Sequence, residues 1–218
     1  MTRSKWLSDD LQAYVLAHSA QPDPLLNLLA VETAESFPAS AGMQIGSDQG
    51  IFMTILTRAI GARRALEIGT FTGYSSICIA RGLSDGGMLT CCDISEEWTA
   101  VARRYWQMAN VDDRIELYLR PALETLREFP DSELFDIVFI DAYKDDYLCY
   151  WDEVVPRVQP NGVILVDNTL YDGLVVDPES EHPDVPAVKA FNDYAVKDDR
   201  VELVLLPIGD GLTMARKR

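Results

Sequence analysis

The chain has 218 residues, long enough for one domain with a sizeable buried core, and its 48% hydrophobic, 25% charged composition is that of an ordinary globular protein. Against 19 basic residues stand 35 acidic ones, a formal net charge of −16 that repels phosphate backbones and argues against a nucleic-acid partner. No apolar run reaches the ~20 residues that span a bilayer, so no membrane partner is expected. The opening Met1-Thr2-Arg3-Ser4-Lys5-Trp6 has no apolar leader core. The cysteines Cys78, Cys91, Cys92 and Cys149 show no Cys-x-x-Cys spacing, and the adjacent pair is poorly placed for a mutual disulfide. All four are expected to be reduced core residues of a cytoplasmic protein.

Residues 1–63 predict a helical extension. Asp23 before Pro24 reads as an N-cap with proline at the first helical position, and Leu25, Leu26, Leu28, Leu29 and Val31 supply the apolar face. Ser47 reads as the cap of a further helix carrying Ile51, Phe52, Ile55, Leu56 and Ile60, which Gly61 ends. Over 64–218 strand and helix alternate. Strands are expected at 65–68, 88–92, 115–119, 135–140 and 163–166, with helices near 73–83, 95–109, 121–129 and 145–158. Several strands are continuous apolar runs, as in a parallel sheet covered on both faces. A last strand over 201–208 turns at Gly209-Asp210-Gly211 into 212–215, a hairpin that brings antiparallel pairing. The irregular stretch 171–186 reads as a surface loop near the site. The expected fold is a doubly wound, mostly parallel, Rossmann-like α/β sheet in one domain.

Ligands of open parallel sheets bind beyond the carboxyl ends of the strands. Four expected strands end in or beside an acid: Glu67, Asp93, Asp141 and Asp167. Gathered on one rim they form an electronegative cleft; scattered, they are helix caps and solvated loop residues. Gly69-Thr70-Phe71-Thr72-Gly73-Tyr74-Ser75 opens a helix after the first strand but lacks the third glycine of Gly-x-Gly-x-x-Gly. Glu67 beside that turn repels a pyrophosphate, whereas a sulfonium cofactor carries positive charge and no phosphate. Asp93 is placed to accept hydrogen bonds from a ribose diol, so the pattern favours an adenosyl sulfonium over NAD. Asp141, Asp167 and Asn168 offer three hard oxygen ligands from adjacent strand ends, a set suited to Mg²⁺ or Ca²⁺. The only histidines, His18 and His182, lie in distant segments, which disfavours zinc.

At these residues the sequence resembles the cation-dependent O-methyltransferases, the family of catechol and caffeoyl-CoA O-methyltransferases, from residue 43 to the C-terminus. Ala65-Leu66-Glu67-Ile68 with the turn after it is similar to the family's first cofactor motif. Phe139-Ile140-Asp141-Ala142-Tyr143-Lys144 and Val166-Asp167-Asn168 are similar to its metal motifs, and Leu206-Pro207-Ile208-Gly209-Asp210-Gly211 to the caffeoyl-CoA branch. The resemblance implies a class I methyltransferase fold, S-adenosyl-L-methionine as cofactor, and a divalent cation, Mg²⁺ before Ca²⁺ or Mn²⁺. It implies cofactor contacts at Met43, Ile45, Glu67, Gly69, Thr70, Ser75, Asp93 and Ala122, with Gly73, Tyr74, Ile94 and Asp141 beside them. It implies metal binding by Asp141, Asp167 and Asn168, a catalytic role for Asp141 and Lys144, and a homodimer.

Three features depart from the family's pattern. Arg120-Pro121 precedes Ala122 where a glycine-containing turn is usual, and Asp172 stands where the plant enzymes tend to have an asparagine. The basic, tyrosine-rich segment those enzymes use against coenzyme A is replaced by Asp177-Pro178-Glu179-Ser180-Glu181-His182-Pro183-Asp184, whose charge opposes CoA phosphates. A small catechol-like acceptor is therefore expected, with Tyr143, Tyr171 and Asp172 as substrate residues and Tyr147 as another candidate pocket wall. The reaction is in-line transfer of methyl from sulfonium to an aryl oxygen, with Lys144 or a cation-bound hydroxide as base. An NAD oxidoreductase is opposed by the missing glycine and Glu67, and a non-catalytic binding module by the complete set Asp141, Lys144, Asp167 and Asn168. A serine hydrolase is excluded because Gly73-Tyr74-Ser75-Ser76-Ile77 lacks the second glycine of Gly-x-Ser-x-Gly.

Overall fold

The computed structural model describes residues 7–21, 23–130, 132 and 134–218, so the expectation for Met1 to Trp6 lies outside the described residues. Seven strands form one sheet in the order β3-β2-β1-β4-β5-β7-β6: β1 Arg64–Ile68, β2 Met88–Asp93, β3 Ile115–Leu119, β4 Phe135–Ile140, β5 Val158–Val166, β6 Val201–Leu206 and β7 Leu212–Lys217. The first five run parallel, and β7 pairs antiparallel with both β5 and β6. The doubly wound, mostly parallel fold and its closing hairpin are as the sequence predicts. Helices are α1 Asp9–Ala17, α2 Pro24–Ser36, α3 Ser47–Ala59, α4 Tyr74–Gly82, α5 Glu96–Met108, α6 Ala122–Glu128, α7 Tyr147–Val154 and α8 Val185–Ala195. Among the described residues none is long and apolar enough to cross a membrane.

Alternation along each strand divides the core in two. Ala65, Leu89, Cys91, Ile137, Phe139, Val163 and Leu165 pack with α2, α3, α4 and α5 on one face. Leu66, Ile68, Cys92, Val138, Ile140, Ile164 and Val166 pack with α6, α7 and α8 on the other. Glu67 shares its parity with Ala65, so a carboxylate is directed into the α3–α4 layer; its exposure is 0%.

The expectations fail at several boundaries. Gly46, not Ser47, occupies the N-cap of α3, and no side chain caps that end. On α2, Asp23 does accept from Leu26 N at 2.9 Å, but only Leu26, Leu29 and Thr33 are buried, and Leu28 and Val31 face outward. The helix expected over 145–158 is shorter, because Pro156 sits in a 3-10 turn after Val154. Strand β5 begins at Val158, hidden in the sequence by Pro160-Asn161-Gly162 and by a register shift against β4. Helix α8 inside the C-terminal third is missed altogether. Cys149 is exposed rather than in the core.

The link between α2 and the rest matters for the site. Thr33 Oγ1 donates to Thr72 Oγ1 at 2.9 Å, and both residues are essentially fully buried. Arg104 grips Glu32 through both guanidinium nitrogens, and Tyr105 Oη donates to Glu32 Oε2 at 2.8 Å. The helical extension is thus fastened to the glycine turn after β1 and to α5. Thr33→Val should leave the Thr72 hydroxyl without its buried partner, costing about 1–3 kcal/mol. A thermal melt should show a drop of several degrees with an unchanged far-ultraviolet spectrum.

Candidate active site

Register decides what meets at the sheet's rim. Ile68 pairs with Cys92 and Ile140, and Ile140 with Val166. The next residues in each strand are Gly69, Asp93, Asp141 and Asp167, so the chain's exits stand side by side. The ladder continues into them: Gly69 N donates to Cys92 O at 2.9 Å, Asp141 N to Ile68 O at 2.8 Å, and Asp167 N to Ile140 O at 3.0 Å. Of the four acids expected on one rim, Asp93, Asp141 and Asp167 are brought there, while Glu67 lies inside β1, level with Cys91 and Phe139, with its side chain buried.

The turn after β1 needs Gly69. Its φ is +92°, and a Cβ there would overlap the carbonyl oxygen of Asp141. Asp93 Oδ2 accepts from Thr70 N at 2.9 Å and Phe71 N at 2.8 Å, and Oδ1 accepts from Ser95 N at 2.8 Å. Asp93 therefore holds the turn in shape, a role its sequence position does not suggest, with lone pairs remaining for a ligand. The ring of Tyr74 is packed in the core, which leaves only its backbone for a ligand. Ser75 and Ala122 are buried, whereas Met43 and Ile94 are exposed at 47% and 73%.

Glu67 accepts a hydrogen bond from the Cys91 thiol at 3.3 Å, while its Oε1 is buried and without a hydrogen-bond partner of good geometry. Burial pushes its pKa up to about 8, against the nearby Ser75, Cys91 and Thr70 groups that pull it down. A buried carboxyl with a free oxygen suits a positively charged ligand group.

On the other side of Gly69 lie Asp141, Lys144, Asp167 and Asn168. Lys144 Nζ donates to Asp141 Oδ1 at 3.0 Å, Asn168 Oδ1 at 2.6 Å and Tyr147 Oη at 2.7 Å. Asn168 takes the left-handed φ of +57° that asparagine tolerates. Burial pushes the Asp167 carboxyl up, Asp141 adds to this, and Lys144, the Asn168 N–H and the Gln49 side chain oppose it. Asp167 Oδ1 is buried without a partner. Burial pulls Lys144 down, but Tyr147 and Asp141 outweigh it and hold the ammonium above its ordinary value.

Among the described residues no three His, Cys, Asp or Glu side chains gather into a metal-binding group. A cation at this rim would rest on two carboxylates and one amide oxygen. The residues fit one in two respects: Asp167 keeps a buried oxygen unpartnered, and an ammonium already bridges Asp141 and Asn168. Tyr147, a candidate pocket wall, is fully buried beneath the site, with its Oη donating to Asp167 O at 3.1 Å. Tyr143 is 62% exposed, Tyr171 Oη is bonded to Asp184 Oδ2, and Asp172 N donates to Asp210 Oδ1 at 2.5 Å. Tyr171 and Asp172 open a 3-10 stretch, Tyr171–Val176, that leads towards α8, whereas Tyr143 precedes the 3-10 turn after β4. His18 stacks on Tyr14, and His182 lies against Tyr171.

Glu67 also sets a pH dependence. A carboxyl raised from 4.5 to about 8 favours the protonated fold, so folding stability is lost as pH rises through that window. Glu67→Gln removes this penalty. At pH 9 it should melt several degrees above the parent chain, and near pH 5 the two should melt alike; calorimetry across the range checks the sign.

The profile of a family described as O-methyltransferase matches residues 16–218. The chain is 34% identical over 226 residues to "Caffeoyl-CoA O-methyltransferase" of Eucalyptus gunnii, covering 96% of this chain and 88% of that protein. It is 34% identical over 210 residues to "Catechol O-methyltransferase domain-containing protein 1" of Mus musculus, covering 95% and 79%. Among solved structures, an O-methyltransferase from Bacillus cereus in complex with SAH superposes with a TM-score of 0.85 at 33% identity, covering 96% and 97%. With its class I sheet and acidic rim, the chain belongs to this O-methyltransferase family and is an S-adenosylmethionine-dependent O-methyltransferase.

Proposed function

We propose that this methyltransferase acts on a small vicinal dihydroxy aromatic, with a divalent cation, Mg²⁺ before Ca²⁺ or Mn²⁺, held by Asp141, Asp167 and Asn168. The observation that carries this is the convergence of Asp141 and Asn168 on a single ammonium, with a buried, unpartnered carboxylate oxygen of Asp167 at the adjoining strand end. Bound there, a cation lowers the pKa of a coordinated hydroxyl and fixes its orientation, and S-adenosylmethionine supplies the methyl group. Glu67, with its free buried oxygen, faces the cationic end of the cofactor, Asp93 the ribose, and the 69–75 turn lies alongside. Met43, Ile45, Ile94 and Ala122 border the same ligand.

The acceptor lies towards Tyr143, Tyr171 and Asp172. Relatives named for caffeoyl-CoA support a phenolic acceptor. The charge of Asp184 reaches the Tyr143 hydroxyl, and Asp177, Glu179 and Glu181 follow in the same segment, which favours a free phenol over a CoA ester. Lys144 takes the hydroxyl proton at Nζ. It does so only as a neutral amine, so it works where added positive charge offsets the carboxylates that hold it protonated. The outward Leu28, Val31 and Ile55 on α2 and α3 support a homodimer, and the buried Cys78, Cys91 and Cys92 suit a reducing, cytoplasmic setting.

Exhaustive chelation should abolish turnover and Mg²⁺ restore it. Asp167→Ala should keep cofactor affinity by calorimetry while turnover falls by about 10² or more. A free catechol acid should show a higher kcat/KM than its CoA ester at physiological salt. Chelation-resistant turnover removes the cation from this scheme, and a preferred ester removes the small acceptor.

Lys144→Ala should lower turnover by ~10²–10⁴ at neutral pH. Parent turnover should rise with pH, since only the neutral amine accepts a proton, and the variant should recover partly where the phenol ionises unaided. Equal rates across the whole pH range would rule Lys144 out as the base.

A further inference from the structure

We propose that Gln49 is a positioning residue for the cation rim, its buried amide wedged between the Asp167 carboxylate and the 209–211 turn so that Asp167 keeps its ligating orientation. This rests on the cation reading above, and it adds a residue from α3, an element outside the strand ends that supply the ligands.

Gln49 is 1% exposed, so its amide has to find partners inside the protein. Its Oε1 lies against Gly209, where a Cβ would overlap it, and Gly209 has a φ of +58°. Its Nε2 is buried without a hydrogen-bond partner of good geometry, and Asp167 Oδ1 is in the same condition. The Gln49 side chain is close enough to Asp167 to act on its carboxyl. An amide N–H turned toward one lone pair of Asp167 Oδ1 satisfies the donor and leaves the oxygen's other lone pair for the ion.

The turn that Gln49 touches also holds the other ligand. Asp210 Oδ2 accepts from Asn168 Nδ2 at 3.4 Å, Thr169 N donates to Gly211 O at 2.9 Å, and Leu170 N to Asp210 O at 3.0 Å. Asp167 is thus addressed from α3, and Asn168 from the hairpin turn against which α3 rests. The position of α3 is itself tightly set: a Cβ on the neighbouring Gly50 would lie 2.8 Å from Cys78 Sγ and 2.9 Å from the Tyr74 ring. Gln49 is a neutral donor. A lysine there would compete with a cation for Asp167, and a glutamate would add repulsion to a carboxyl that burial already burdens. An uncharged amide orients the carboxylate and leaves its charge for the ion.

The test is Mn²⁺ binding to the purified full chain, read by electron paramagnetic resonance, beside calorimetry with SAH. Gln49→Met keeps the shape and removes the donor. It should weaken Mn²⁺ affinity by about 10–100-fold, with SAH affinity and the metal-free melting temperature near the parent's. Gln49→Asn, which keeps the amide but withdraws it by one methylene, should weaken Mn²⁺ in the same direction and decides the matter if Gln49→Met does not fold. Mn²⁺ affinity equal to the parent's in the folded variants overturns the role of Gln49 and leaves the cation reading standing. A parent chain that binds no Mn²⁺ while still binding SAH overturns both.

Discussion

The contact between Gly69 and the carbonyl of Asp141 joins the two halves of the site. Strands β1 and β4 are neighbours that lead to opposite sides of the sheet, and the crevice between their carboxyl ends is where an open α/β sheet receives ligands. At that point the chain leaving β1 turns at φ +92° so close to Asp141 that no side chain fits. The glycine turn after β1 and the Asp141 end of β4 are therefore built against each other. Asp93 fastens the turn from the β2 side through the amides of Thr70 and Phe71, and Thr33 fastens it from α2 through Thr72.

This geometry gathers negative charge where water is scarce. Glu67 and Asp167 are buried at 0% and 3% exposure, and Asp93 and Asp141 flank them. Lys144 is the counter-charge the fold provides, and it is shared among Asp141, Asn168 and the Tyr147 hydroxyl. One ammonium leaves buried carboxylate oxygens without partners on both sides of Gly69, at Glu67 Oε1 and Asp167 Oδ1. Such atoms are costly in a folded protein and are kept where a ligand completes them.

Much of this was legible because parallel strands read as apolar runs and because each run ends at an acid. Once β1, β2, β4 and β5 are in register, Asp93, Asp141 and Asp167 have to share a rim, with Glu67 buried two residues inside it. Tertiary choices were less visible. The leucines of α2 look like one apolar face, yet only Leu26 and Leu29 turn inward. Strand β5 hides its first half behind Pro160-Asn161-Gly162, and α8, with Val185, Val188 and Phe191 on its buried side, is masked by the acidic loop before it. Tyr147 reads as a pocket aromatic, but its hydroxyl is used under Asp167. Gln49 is a common residue on an amphipathic helix; its place opposite Asp167 arises only when α3 and the closing hairpin meet. Asp93 stands out as an acid at a strand end, while two of the three backbone amides it satisfies, those of Thr70 and Phe71, come to it only in the folded turn.

The acids of this chain fall into two physical classes, and the division separates scaffold from site. Asp198 is held below the usual carboxylate range by Arg200, Glu32 by Arg104, and Glu202 by Arg216. Each is paired with a guanidinium, and each is easier to ionise in the fold than in the free chain. Glu67 and Asp167 are displaced the other way, by burial, and among the described residues no arginine is paired with either. Both groups of acids contribute to the same net charge of −16, so composition cannot distinguish them. Folding alone would gain from replacing the second class with neutral side chains. Their presence at adjoining strand ends costs stability at the place where the proposed cofactor and cation would bring positive charge.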